Sequence, residues 1–209
     1  MSKGHAASVQ YPYLLRLGFL DPKDWDNWGV TDDTCLRVFG NNSIPGIDVT
    51  SGSLGHGLGI SAGLAIADRF DGYGFRHYVV ISEGELYEGS TWEALLFIAH
   101  HRVTQVKIIV DVNRNMILGR PEEHLNLNPI EDKFRSFGFS TRRIDGHDYG
   151  AIFSGLEFLN GEDLHEPRVL IADTIKGKGV TLIEDTAQSH YWGSYTGDQI
   201  KGILEDLTP

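Results

Sequence analysis

Glu83 and Asn113 stand thirty residues apart, and each follows a short apolar run, HYVVIS in the first case and VKIIVDV in the second. A carboxylate oxygen, a carboxamide oxygen and a backbone carbonyl near Asn115 would form half of a hard-oxygen shell. Magnesium completes such a shell with phosphate oxygens from a substrate or cofactor. Gly84 leaves room for the backbone to come close to those phosphates. The thirty-residue interval matches one strand-helix-strand unit of roughly 30 residues. If the two runs are neighbouring parallel strands, both side chains project from the same sheet edge. Strand-end acids and amides also cap turns and helix starts, and spacing alone leaves both readings open.

The elements that must hold these residues are readable from apolar periodicity. A helix is expected from about Gly55 to Phe70, with Ile60, Leu64 and Ala67 at helical spacing. HYVVIS is a buried strand ending at Ser82, and GSTWEALLFIAHHR is a helix with Trp92, Leu95, Leu96 and Ala99 on its stripe. VKIIVDVN is the second strand. IEDKFRSFGF is a helix closed by Gly138, STRRID a strand, YGAIFSGLEFL a helix and PRVLIADTI a strand. Strand and helix thus alternate, and the strands are continuously apolar. That pattern predicts an α/β fold with a parallel sheet covered by helices on both faces, and a ligand site beyond the carboxyl ends of the strands. All four strand ends are polar: Ser82 to Glu85, Asp111 to Asn113, Asp145 to Asp148, and Asp173 to Gly179. Residues 186–209 read as a loop and a short amphipathic tail, and residues 1–209 as a single domain.

Composition narrows the function classes. The 209 residues include 41% hydrophobic and 22% charged positions, ordinary for a water-soluble globular chain, and no apolar run approaches the roughly 20 residues needed to span a bilayer. The net charge of −11 argues against a grip on nucleic acid phosphates. Lys176 and Lys178 are the tight basic pair near glycines. Cys35 is the sole cysteine, so no internal disulfide can form, and the first residues lack a secretory apolar core. A cytoplasmic setting is expected.

Five blocks in register then bring a family into view: SKGHA from Ser2, VTSGSLGHGLGISAGLA from Val49, EGELYEGSTWEALLFIAHH from Glu83, IIVDVNRN from Ile108 and TIKGKGV from Thr174. Together they resemble the N-terminal part of the transketolases, from residue 2 to about residue 195. The resemblance implies the pyrophosphate-type domain of the thiamine diphosphate-binding fold, closest to two-chain transketolases in which this half is a separate subunit. It implies thiamine diphosphate with magnesium (or calcium) as cofactors and Glu83, Asn113 and the Asn115 carbonyl as metal ligands. Gly84 and Glu85 would meet the diphosphate through their backbone, and Gly52 and Leu54 the aminopyrimidine. Glu88 matches a glutamate that joins two halves of an active site across a dimer interface, and Glu93 one that supports it. His5 and His190 match histidines that line the thiazolium and handle substrate hydroxyls; His56 lies where many relatives carry glutamine.

The same resemblance implies transfer of a two-carbon ketol unit between sugar phosphates. The glutamate that protonates the aminopyrimidine belongs to the family's pyrimidine-binding domain, so activity is expected only with a pyrimidine-binding partner chain, in an assembly with two copies of each. Three departures stand out. Glu83 replaces the family's aspartate, with Ser82 in place of the usual glycine before it. The family carries a further segment before SKGHA, with a Ser-Gly-His-Pro signature, and its linker ends later. Apolar surface left by those two edges is expected to favour a partner. The rivals are a binding-only subunit that has lost catalysis, another thiamine diphosphate enzyme such as deoxyxylulose phosphate synthase, and, weakly, a dinucleotide-binding dehydrogenase, since GSLGHG fits the Gly-x-Gly-x-x-Gly order poorly.

Overall fold

The computed structural model describes the chain apart from residues 29–35, 37–38, 162–164, 187–193 and 209. A 3-10 helix at Gly4–Val9 leads into α1 (Gln10–Arg16) and α2 (Pro22–Asp26), the latter opened by a capping box between Asp21 and Asp24. Then follow α3 (Gly57–Asp71), β1 (His77–Ser82), α4 (Gly89–His100), β2 (Val106–Val112), α5 (Pro121–His124), α6 (Ile130–Ser136), β3 (Ser140–Asp145), α7 (Tyr149–Asn160), β4 (Arg168–Asp173) and α8 (Gly197–Leu207). The four strands are all parallel, in the order β1-β2-β4-β3. The expected α/β sheet is present, and the strands begin and end close to where the apolar runs place them.

Alternate residues of the strands serve two faces. Val79 and Ile81, Val106, Ile108 and Val110, and Val169 and Ile171 pack with Leu58, Ala62 and Ala65 of α3, Leu95 and Ile98 of α4, and Ile130 and Phe134 of α6. The opposite face carries α7, which packs against β2, β3 and β4. A second, smaller core joins Tyr11, Leu14, Leu20, Leu36, Ile44 and Ile47 under the first helices.

Two local outcomes differ from the sequence pattern. The inner face of α3 is Leu58, Ala62 and Ala65, whereas Ile60 and Leu64 are 39% and 43% exposed. Small side chains let this helix approach the sheet, and its larger apolar residues face outward. On α4, Trp92 and Leu95 pack inward, while Leu96 is exposed. The tail does form a helix, α8, with none of its residues buried. Among the described residues no helix is long and apolar enough to cross a membrane.

Candidate active site

The register of the first two strands makes the two apolar runs neighbours, and both side chains cap backbone amides of one turn. Ile81 pairs with Val110 and Ser82 with Asp111, so Glu83 and Asn113 leave neighbouring strands at the same edge. The turn after β2 joins them. Glu83 Oε2 accepts the Arg114 N–H at 3.0 Å, and Asn113 Oδ1 accepts the Asn115 N–H at 3.1 Å. Two oxygen-bearing side chains from adjacent strands are therefore tied to successive amides of one turn, in which Arg114 adopts a φ of 54°.

The segment carrying Glu83 is itself braced. Ser82 Oγ accepts the Glu85 N–H at 3.1 Å and caps the 3-10 helix Glu83–Tyr87; this is what a serine provides where glycine is usual. Thr91 donates to the Glu85 carbonyl at 2.9 Å and the Trp92 indole to the Leu86 carbonyl at 2.7 Å, so the first turn of α4 clamps it from behind. Glu85 is fully buried and faces the scaffold: one carboxylate oxygen accepts from the Ser2 hydroxyl and from the Gly55 N–H at 2.9 Å. It thereby binds the first residues, the 51–57 turn and the Glu83 segment together. Gly4 belongs to the same junction, since a Cβ there would lie 2.6 Å from the Gly52 nitrogen.

A cleft of about 380 Å³ opens over this junction, lined by Lys3, His5, Leu54, Ser82, Gly84, Tyr87, Glu88, Asn113, Asn115, Met116, Ile117, Leu118 and Lys176. Of the residues singled out in the sequence, His5, Leu54, Gly84, Glu88, Asn113 and Asn115 meet here. Glu83 and Glu85 do not line it; they are 4% and 0% exposed. Gly52 packs behind, against Phe39. His56 and Glu93 line a separate groove between α3 and α4, and His190 lies outside the described residues.

Sequence reasoning did not assign the cations a role. Lys3 pairs with Asp111, whose other oxygen accepts the Thr174 hydroxyl. Lys3 sat in view within SKGHA, and Asp111 two positions before Asn113, but their pairing spans 108 residues of chain. The Lys176–Lys178 pair divides: Lys176 faces the cleft, and Lys178 turns to Glu184 at 3.2 Å. Burial lowers the Lys176 pKa, and the Lys3 charge lowers it further. Burial, then Lys176 and Lys3, also lowers that of His5. Burial alone would raise Asp111, but the Lys3 ammonium and the hydrogen bonds from Lys3, Thr174 and Asn113 hold it below the ordinary aspartate value. Glu83 moves the opposite way: burial raises it, against the Arg114 N–H. In a chain of net charge −11, two lysines thus face one cleft, Lys3 paired with Asp111 and Lys176 beside it, a local balance that can favour an anion.

The donor set fits a diphosphate held by a hard cation. Among the described residues no group of three His, Cys, Asp or Glu side chains could hold a metal, so a cation here would depend on carboxamide and carbonyl oxygens beside the one carboxylate. Gly84 leaves the cleft open: a Cβ there would meet nothing closer than Ser82 Oγ at 3.7 Å and would occupy the space itself.

Residues 1–204 match the family model described as transketolase, thiamine diphosphate binding domain. The chain belongs to that family. It is 34% identical over 209 residues to an apulose-4-phosphate transketolase subunit from Actinobacillus succinogenes, covering 99% of this chain and 74% of that one. It is 33% identical over 190 residues to the 6-deoxy-6-sulfo-D-fructose transketolase subunit of a Clostridium species, covering 91% of this chain and 69% of the relative. The solved transketolase of Campylobacter jejuni superposes with a TM-score of 0.83 at 28% identity; the match takes in 90% of this chain and 30% of that one. This transketolase-family chain therefore spans about a third of the longer enzyme and most of the separately encoded subunits.

Proposed function

We propose that this chain is the diphosphate-binding subunit of a two-chain transketolase-like transferase that moves a two-carbon ketol unit between sugar phosphates, using thiamine diphosphate and magnesium. The observation that carries the reading is the convergence of Glu83 and Asn113, from in-register neighbouring strands, on the turn that contains Asn115. Glu83, Asn113 and the Asn115 carbonyl would hold the cation, and the Gly84 backbone and nearby lysines the phosphates. Thiamine diphosphate, when bound, supplies the electron sink for breaking a carbon–carbon bond beside a ketone. His5, with its lowered pKa, is the neutral imidazole at neutral pH and can accept a proton from a substrate hydroxyl at the cleft mouth. Met116, Ile117, Leu118 and Leu54 form an apolar wall that shields reacting groups from water.

The partner reading rests on what is left uncovered. Glu88 lines the cleft, Glu93 lines the neighbouring α3/α4 groove, and around them Ile60, Leu64, Leu96 and Phe97 are exposed. A pyrimidine-binding chain seated there would cover the apolar faces and bring its own glutamate to the cofactor, in an assembly with two copies of each chain. The test is reconstitution: this chain, its pyrimidine-binding partner, thiamine diphosphate, magnesium, a ketose phosphate and an aldose phosphate. Ketol transfer should require both chains, and its absence from the complete mixture overturns the proposal. A binding-only subunit is the second reading, favoured by Glu83 spending an oxygen on the Arg114 amide. It predicts cofactor binding in the same mixture with no transfer.

A further inference from the structure

A carboxamide can serve a hard cation only through its oxygen, so a metal-binding asparagine must be prevented from turning its NH2 outward. In this chain the Asn113 Nδ2 donates to Asp111 Oδ2 at 3.2 Å, while Oδ1 accepts the Asn115 N–H. Turning the amide over would bring Oδ1 against a carboxylate and NH2 against an N–H, two repulsions in place of two bonds. The Asn115 amide alone is a weak constraint, because it belongs to the turn whose geometry is in question. Asp111 is anchored independently. It projects from β2, which is paired on both sides. Its Oδ1 takes the Thr174 hydroxyl from the segment after β4, and its Oδ2 takes the Lys3 ammonium from the segment carrying His5. Three parts of the chain therefore converge on a carboxylate that makes no claim on the cleft itself.

We infer that Asp111, held by Lys3 and Thr174, is a positioning residue that fixes the orientation of the Asn113 carboxamide and so presents its oxygen to the cation. The inference rests on the metal reading given above and adds a residue to it. Such supporting partners of metal ligands are worth about 10- to 100-fold in metal affinity. It also gives Lys3 a task besides its charge, since the pair links the orientation of the metal ligand to the placement of the His5 segment.

The test is a double-mutant cycle read by direct Mn2+ binding, using electron paramagnetic resonance of free Mn2+ with the full chain and thiamine diphosphate. Asp111→Ala and the size-matched Asp111→Leu both remove the acceptor, and each should weaken Mn2+ binding about tenfold; two variants guard against one that fails to fold. In an Asn113→Asp background the metal ligand has two equivalent oxygens and no wrong orientation. Removing Asp111 there should cost nothing, and relief of carboxylate repulsion should leave affinity equal or higher. A merely structural Asp111 would cost the same in both backgrounds, and that result overturns the inference, as does parent affinity in Asp111→Leu. A parent chain that binds no Mn2+ even with its partner present would instead overturn the metal reading beneath it.

Discussion

The carboxyl edge of this sheet has two halves that use charge in opposite ways. At the ends of β4 and β3, Arg143 is enclosed by carboxylates. Its guanidinium binds Asp173 twice, at 2.6 and 2.7 Å, and Glu131 at 2.8 Å; His147 accepts the Ile175 N–H at 2.7 Å. Arg143 thus finds its partners within the fold, while the second oxygen of Glu131 is buried without a hydrogen bond. Around the ends of β1 and β2, Lys3, His5 and Lys176 from the segment after β4 press on one another beside an open cleft, and Glu83 is buried with a raised pKa. All four strand ends are polar in sequence, yet one half closes its charges into a single cluster and the other lines a cleft with them. Polar strand ends mark where a site can be; whether their charges close on one another or line a cleft is what separates the two halves.

The contrast is breakable by substitution. The largest effect is expected at Glu83: Glu83→Gln should reduce metal-dependent thiamine diphosphate binding by at least about 100-fold, more than loss of a supporting residue costs. Its thermal midpoint should hold or rise, because a buried charge with a raised pKa disfavours folding at neutral pH. Glu83→Asp should bind metal more tightly than the parent, since magnesium tolerates geometric error poorly. Calorimetry and thermal melts read both. On the other half, Arg143→Leu should cost about 2 kcal/mol, or about 4–8 °C in midpoint, and leave cofactor affinity unchanged. Gly84→Ala lies between the two kinds: the residue is not at positive φ and its Cβ is unopposed, so stability should hold while cofactor affinity falls by about tenfold, or about 1.4 kcal/mol.

The smallest effect is in pH. Burial would raise the Glu131 carboxyl, but the Arg143 hydrogen bond, a backbone hydrogen bond and the Arg143 and Arg135 charges together outweigh it, and the pKa falls below the ordinary glutamate value. The stability this contact contributes is complete above that ordinary value and is lost as pH drops through the depressed one. The gap in midpoint between parent and Arg143→Leu should therefore narrow as pH falls below the ordinary glutamate value, about 4.3. A constant gap would show that Arg143 acts through packing.

Much of this was legible in the sequence because the strands are unbroken apolar runs and the helices between them are amphipathic. The positions of Glu83 and Asn113 followed from that alternation. Strand order did not, since nothing local tells β4 to enter between β2 and β3. The first helices were missed: Pro12 interrupts the pattern, and Tyr11 and Leu14 find their core only with Leu36, Ile44 and Ile47. The inner face of α3 was misread because Ile60 and Leu64 outrank Ala62 and Ala65 in hydrophobicity, whereas close packing on the sheet selects the smaller residues. Lys3 with Asp111, and Glu85 with Ser2 and Gly55, are long-range bonds that no local period encodes. Family resemblance supplied the roles of Gly84 and Asn115, and the fold supplied the reason that they face one cleft.

The central claim is that this edge holds a divalent cation which in turn holds a diphosphate. Titrating thiamine diphosphate into the chain and its partner by isothermal calorimetry, with magnesium and again with excess EDTA, tests it most directly. Saturable binding with magnesium that weakens at least about tenfold in EDTA, a loss of about 1.4 kcal/mol, is the result expected. Equal binding in both, or none in either, would contradict it.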